Sequence, residues 1–193
     1  MGEVVRLVSE LTEGDAIIVT DVGQHQMFAA SYYKFSNQNS LVTSGGMGTM
    51  GFGLPAAIGA QIGNPGKLVI AFLGDGGFQM TIQELGTILQ YNIPVKIIIL
   101  NNSYLGMVRQ WQDMFFKKRY ASTELINPDF VMIANGFSIP AKRVSKREDL
   151  KDSLEEMLAA KGPYLLDITI EKEGNVFPMI EPGSSVSEVR LTY

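Results

Sequence analysis

Short unbroken apolar runs and helically spaced apolar faces take turns along this chain, and that alternation predicts its fold class. Val4, Val5, Leu7, Val8 and Leu11 recur at helical spacing, and Glu13-Gly14-Asp15 behind them supplies a glycine that ends the helix. Residues 16–20 then read as a buried strand, Leu41-Val42-Thr43 as a short one, and residues 54–60 as a small-residue helix with Pro55 in its first turn. Residues 69–73 and 95–100 are apolar runs of strand length, as central parallel strands require. Between them Phe78, Ile82, Leu85 and Leu89 fall on one helical face, and Thr81-Ile82-Gln83-Glu84 has the form of a capping box. Further on, a helix carries Met107, Val108, Trp111, Met114 and Phe115, a short helix spans residues 128–136 behind an Asn-Pro-Asp-Phe stretch, and residues 139–144 form a strand. Residues 147–161 form an amphipathic helix with Leu150, Leu154, Met157 and Leu158 inward, and residues 164–170 give the last strand. Gly174, Pro178, Pro182 and Gly183 make the tail from residue 171 irregular. Strands separated by helices predict a single α/β domain over residues 1–193, an open, mainly parallel sheet with helices on both faces in the Rossmann manner.

Composition narrows the partners more than the fold. With 46% hydrophobic and 19% charged residues the chain has the make-up of a soluble α/β domain. A net charge of -4 leaves no basic footprint, and Lys117-Lys118-Arg119 is too short to make one, so neither nucleic acid nor an anionic membrane is expected as a partner. The absence of cysteine excludes disulfides and thiol chemistry. No signal peptide and no apolar run of membrane-spanning length is present, which predicts a cytoplasmic protein. Met1-Gly2-Glu3 fits a natural start or the edge of a longer chain equally well.

The chemistry collects where strands end. In a strand–helix–strand unit both strand ends lie on one edge of the sheet, where open α/β folds bind ligands. Asp75 follows the first central run and Asn102 the second, so a carboxylate and an amide oxygen meet although 26 residues separate them. Hard oxygen ligands beside a glycine turn suit Mg²⁺, and Gly74, Gly76 and Gly77 let backbone N–H groups approach an anion at a helix start. A diphosphate bridged to Mg²⁺ fits both halves. His25, the only histidine, follows a strand and a glycine; it reads either as a capping or core residue or as a ligand contact, and not as an acid–base catalyst.

Gly-Asp-Gly, 24 residues, then Asn-Asn resembles the diphosphate- and metal-binding motif of thiamine diphosphate enzymes. Val22-Gly23-Gln24-His25-Gln26, the glycine loop Ser44-Gly45-Gly46-Met47-Gly48-Thr49-Met50-Gly51 and Gly106-Met107-Val108-Arg109-Gln110-Trp111-Gln112 extend the likeness to the acetohydroxyacid synthase (acetolactate synthase) catalytic subunit. The likeness covers nearly the whole chain and only that family's C-terminal domain. It implies that Gly23, Gln24, His25, Gly74, Asp75, Gly76, Gly77, Asn102, Tyr104, Gly106 and Met107 contact thiamine diphosphate, with Gly48 and Met50 meeting its aminopyrimidine and Met50 wedged beneath the thiazolium. The metal ligands implied are Asp75, Asn102 and the Tyr104 carbonyl, although the family usually has acidic or small polar residues at Ser103 and Tyr104. Trp111 becomes the residue that selects the second 2-keto acid; packing alone would explain Met107, Trp111, Met114 and Phe115 as core.

The resemblance further implies an enzyme that decarboxylates pyruvate and joins the two-carbon unit to a second 2-keto acid, pyruvate or 2-ketobutyrate, in branched-chain amino acid biosynthesis. FAD would belong to the full-length enzyme, held mainly outside this domain. The activating glutamate would come from the pyrimidine-binding domain of a partner subunit in a homo-oligomer, and a small regulatory subunit is compatible. No complete catalytic set is expected in this chain: Asp75 is assigned to metal, Glu84 to the helix cap and Asp21 to the diphosphate side. Phe52, Leu54, Met107 and Phe115 are expected as exposed interface side chains. Two other readings stand beside this one. One is a separate diphosphate-binding subunit of another thiamine diphosphate-dependent 2-keto acid decarboxylase; the other is a nucleotide- or phosphate-binding regulatory module on the same fold, which leaves Asn102 and the glycine loop unexplained.

Overall fold

The computed structural model describes residues 1–181 and 183–192; Pro182, one of the residues behind the expected irregular tail, and Tyr193 lie outside the described residues. A parallel six-stranded sheet in the order β2-β1-β3-β4-β6-β5 forms the centre, built from β1 (Ile17–Thr20), β2 (Leu41–Val42), β3 (Val69–Gly74), β4 (Lys96–Asn101), β5 (Ala141–Val144) and β6 (Tyr164–Thr169). The middle strands are buried on both faces, which is why β3 and β4 read as continuous apolar runs rather than alternating ones.

Alternate side chains of these strands feed two cores. Ile18, Ile70, Phe72, Ile98 and Leu166 face α1 (Gly2–Leu11), α2 (Gln24–Tyr32) and α8 (Leu150–Ala159). Val19, Ala71, Leu73, Ile97 and Leu165 face α3 (Gly53–Gly63), α4 (Asp75–Met80), α5 (Leu85–Tyr91) and α7 (Phe130–Gly136). Phe78 and Phe130, both fully buried, meet edge-on across the second core at 5.3 Å between ring centres. Each such side chain contributes roughly 1.5–3 kcal/mol by leaving water.

Four expectations are corrected here. The helix expected through residues 78–89 breaks at Thr81, whose hydroxyl donates to the Gly51 carbonyl at 3.2 Å rather than capping a helix. Glu84 consequently caps nothing and accepts from the Thr87 hydroxyl. The break resets the helical phase, so Ile88 is buried while Leu89 is 48% exposed. On α6 (Gly106–Phe115) the buried side chains are polar, Gln110 and Asp113, and not the apolar set. Gln110 accepts from Gln24 Nε2 and Val176 N and donates to Val176 O, so α6 turns an amide inward to hold the chain after β6. That tail also carries regular structure, an antiparallel pair of β7 (Met179–Ile180) and β8 (Val189–Arg190). Of the expected interface side chains, Leu54 is buried in the second core, and Phe52, Met107 and Phe115 are half-buried.

Lys96 is also buried, on a central strand, a charged group inside an otherwise apolar run. Its ammonium donates to the carbonyls of Ala160 and Gly162 at 2.6 and 2.5 Å, just past the C-terminal end of α8. Burial pushes its pKa down to about 8.

Candidate functional site

β1, β3 and β4 end side by side on one edge of the sheet, where the chain passes from β1 out to β2 and then back across β1 to β3. Each strand passes almost directly into the backbone that forms the site. Asp21 to Gly23 lead from β1 into α2, Gly74 hands β3 to α4, and Asn102 to Leu105 lead from β4 into α6. The expected Gly-Asp-Gly turn is therefore no separate turn: Gly74 is the last strand residue and Asp75 the first of the helix. Likewise Gln24 and His25, expected on a loop, form the first turn of α2.

Around the resulting cleft stand Gly23, Gln24, His25, Met50, Gly74, Asp75, Gly76, Gly77, Asn102, Tyr104, Gly106 and Met107, joined by Val22, Leu100, Leu105, Val108 and Met1. Two sequence candidates lie outside it. Gly48 sits on the exposed part of the glycine loop with φ of 61°. Trp111 lines a neighbouring groove with Gln112, Phe116, Arg119 and Ala121, and Val108 borders both spaces. Its ring packs edge-on against Phe115 at 5.2 Å and is 38% exposed, so it is not a core residue.

The cleft suits an anion. The N-termini of α2 and α6 open onto it, presenting backbone N–H groups that the helices themselves leave unpaired. Its floor is cleared of side chains: a Cβ on Gly76 would lie 2.8 Å from Leu105 Cδ2, and one on Gly74 would lie 2.9 Å from His25 Cε1. Among the described residues Gln24 Oε1 and His25 Nε2 are buried and find no hydrogen-bond partner, an arrangement that costs free energy unless a ligand supplies one. Burial drives the His25 pKa down to about 4 against the pull of Asp21, so the imidazole is neutral at pH 7. Among the described residues neither lysine nor arginine lines the cleft.

A set of oxygen atoms that could hold a cation lies in the same cleft. Asp75 is buried, and its Oδ2 accepts from Asn127 Nδ2 at 2.7 Å. Burial raises its pKa, opposed by the Asn127 amide and by the backbone N–H groups of Gly76 and Ser103. Asn102 Oδ1 accepts from Tyr104 N at 3.1 Å, which leaves that carbonyl a second lone pair. Tyr104 is fixed by pairing with Glu124, flanked by Leu105 N to Thr123 O and Leu125 N to Ser103 O, both 2.8 Å. Among the described residues no group of three or more His, Cys, Asp or Glu side chains is gathered at one point. Asn127 escaped the sequence reading because it lies in a loop beyond the motif; the Pro128 after it and the helix-capping Asp129 were its only signals.

Asp21 holds backbone rather than lining the cleft. Its carboxylate is buried and accepts from the backbone N–H groups of Val22 at 2.8 Å, Gly51 at 3.1 Å and Gly53 at 2.8 Å. It thereby ties the glycine loop to the end of β1. That tie, with the Thr81 to Gly51 bond, holds the loop so that Met50 reaches the cleft.

Comparison with known proteins bears on the same cleft. The family described as "Thiamine pyrophosphate enzyme, C-terminal TPP binding domain" matches residues 21–168. The acetolactate synthase isozyme 2 large subunit of Escherichia coli (strain K12) is 46% identical over 94% of this chain and 33% of its own length. Acetolactate synthase 2, chloroplastic, of Zea mays is 49% identical over 97% of the chain and 31% of its own. The acetolactate synthase large subunit of Lactococcus lactis subsp. lactis is 47% identical over 97% and 32%. The chain thus spans about a third of the length of these relatives. Among the described residues no helix is long and apolar enough to cross a membrane.

Proposed function

Since the chain belongs to the thiamine pyrophosphate enzymes, through their C-terminal cofactor-binding domain, we propose that the cleft at the ends of β1, β3 and β4 holds the diphosphate of thiamine diphosphate together with Mg²⁺, as part of an acetolactate synthase. The observation that carries the reading is the pairing of two helix N-termini and two buried polar atoms, unpartnered among the described residues, with one buried carboxylate, in a cleft that no described lysine or arginine lines. The N–H groups at Gln24 and Gly106 and the glycines 74, 76 and 77 would receive the phosphate oxygens. Asp75 and Asn102, with the Tyr104 carbonyl, would hold Mg²⁺, which prefers a few protein oxygens plus phosphate and water. Met50 would support the cofactor from the glycine loop, with Gly48 nearby, and Trp111 would border the approach of the second 2-keto acid.

Bound thiamine diphosphate supplies the carbanion chemistry that decarboxylates a 2-keto acid and transfers the two-carbon unit. The chain's own part is to bind, orient and exclude water. Acids near the cleft are engaged otherwise, Asp21 by three backbone N–H groups and Asp75 by Asn127. The activating carboxylate therefore belongs to the pyrimidine-binding domain of a partner subunit in this reading. FAD belongs to the whole enzyme, and pyruvate and 2-ketobutyrate are its substrates. Residues 1–193 act as one domain within it. Calorimetry tests the core of the proposal. Thiamine diphosphate should bind with Mg²⁺ and fail to bind in EDTA, and Asp75→Ala should abolish the metal-dependent part; equal affinity in both media would overturn it. Acetolactate formed from pyruvate by this chain alone would overturn the shared-site part.

A further inference from the structure

We propose that Asn127 is the positioning residue of the cation site, holding the Asp75 carboxylate in one orientation through a closed ring of polar contacts; the proposal rests on Asp75 as the metal ligand. The orientation of the Asn127 amide is fixed by its neighbours. Nδ2 donates to Asp75 Oδ2 at 2.7 Å and to Asn101 Oδ1 at 3.0 Å, while Oδ1 accepts from Gln79 Nε2 at 2.9 Å. Turning the amide over would set its oxygen against two other acceptors and its nitrogen against a donor, so only one orientation satisfies all three contacts.

The residue's backbone is fixed independently. Pro128 restricts Asn127 to extended conformations, and Asp129 caps α7 through Met132 N at 3.0 Å. Asp129 also pairs with Arg143 at 3.1 Å, and Arg143 pairs with the buried Asp167 at 3.0 Å. Asp167 Oδ1 in turn accepts from Asn101 Nδ2 at 3.0 Å, which returns the chain of contacts to Asn127. The ring runs across the ends of β4, β5 and β6 and meets the cleft at Asp75 alone.

Such an arrangement does more than hold a loop. Mg²⁺ tolerates little departure from octahedral geometry, and a carboxylate free to rotate must be ordered each time the ion binds. With Oδ2 held by Asn127 at 2.7 Å, the plane of the carboxylate is set before an ion arrives. Partners of this kind behind a metal ligand change metal affinity by about 10–100-fold when removed.

The test follows the Mg²⁺ dependence of thiamine diphosphate binding by calorimetry, with Mn²⁺ paramagnetic resonance as a direct readout of the ion, in Asn127→Leu, Asn127→Ser and Asp75→Asn. Both Asn127 variants should need about tenfold or more Mg²⁺ for half-saturation, with cofactor affinity restored at saturating metal, because only the ordering of the ligand is lost. A shift below about threefold in both, or a lowered metal-free thermal midpoint with unchanged Mg²⁺ dependence, would overturn the positioning role. Asn127→Ser, at a half-buried loop site, decides the matter if the leucine variant does not fold. Asp75→Asn separates the two layers of argument. If it keeps wild-type Mg²⁺ dependence, the metal-site reading falls and the positioning role with it. If it loses that dependence while both Asn127 variants behave as wild type, only the positioning role falls.

Discussion

Asp21→Ala should destabilise the fold and loosen the glycine loop together, because one carboxylate serves both. The substitution removes the acceptor for the N–H groups of Val22, Gly51 and Gly53. The contacts to Gly51 and Gly53 are buried, so those donors would be left without water, whereas the Val22 contact is only partly buried. A stranded buried donor costs about 1–3 kcal/mol, which gives roughly 2–6 kcal/mol for two. Relief of the buried carboxylate's own desolvation offsets part of this, leaving an expected loss of about 2–4 kcal/mol. For a chain of this size that corresponds to a fall of roughly 5–15 °C in thermal midpoint. Urea unfolding followed by circular dichroism measures the loss. Thiamine diphosphate titration of the folded fraction at saturating Mg²⁺ measures the loop, where Met50 should contribute less. A loss below about 1 kcal/mol, with cofactor affinity unchanged, would refute the assignment of Asp21 as the tie between β1 and the loop.

Three further outcomes are expected. His25 has a folded pKa of about 4, below its ordinary 6.5, so the unfolded chain takes up the proton first and stability falls as pH drops through that window. The loss is up to roughly 3 kcal/mol; a urea midpoint with the same pH dependence between 7 and 5 in wild type and His25→Gln would contradict it. In Gly106→Ala the new methyl would overlap Gln24 Oε1 and lie 3.0 Å from Asn102 Nδ2, while Gln24 is held by Gln110 and the Gly174 carbonyl. Calorimetry should show weakened Mg²⁺-dependent cofactor binding, and thermal unfolding a loss of about 1–3 kcal/mol; wild-type behaviour in both counts against the packing described. Lys96→Met should lower stability by about 1–3 kcal/mol at pH 7, since the charged amine serves two carbonyls at the end of α8, and an unchanged or raised thermal midpoint would contradict that.

Local sequence by itself determined the strands and their order of appearance, because β-branched runs such as residues 95–100 can be buried on both faces only inside a sheet covered by helices. It also determined which residues share the edge where the strands end: Asp75 and Asn102 come together once β3 and β4 pair in parallel, as Gly74 opposite Leu100 shows. What it could not determine were the contacts that depend on segments far apart in the chain. The helix after β3 looked continuous on periodicity, and it breaks at Thr81 because a loop some 30 residues earlier offers the Gly51 carbonyl. Gln110 lies on a helix expected to turn an apolar face inward, and Lys96 lies inside a run expected as a buried strand. They are buried because Val176, Ala160 and Gly162 bring backbone partners that no local pattern announces. Asn127 belongs with them, since its loop amide finds its partners only when β4 and α4 converge on it. Periodicity records which face of an element avoids water, whereas a polar contact depends on which distant atom arrives, and only the packed chain decides that.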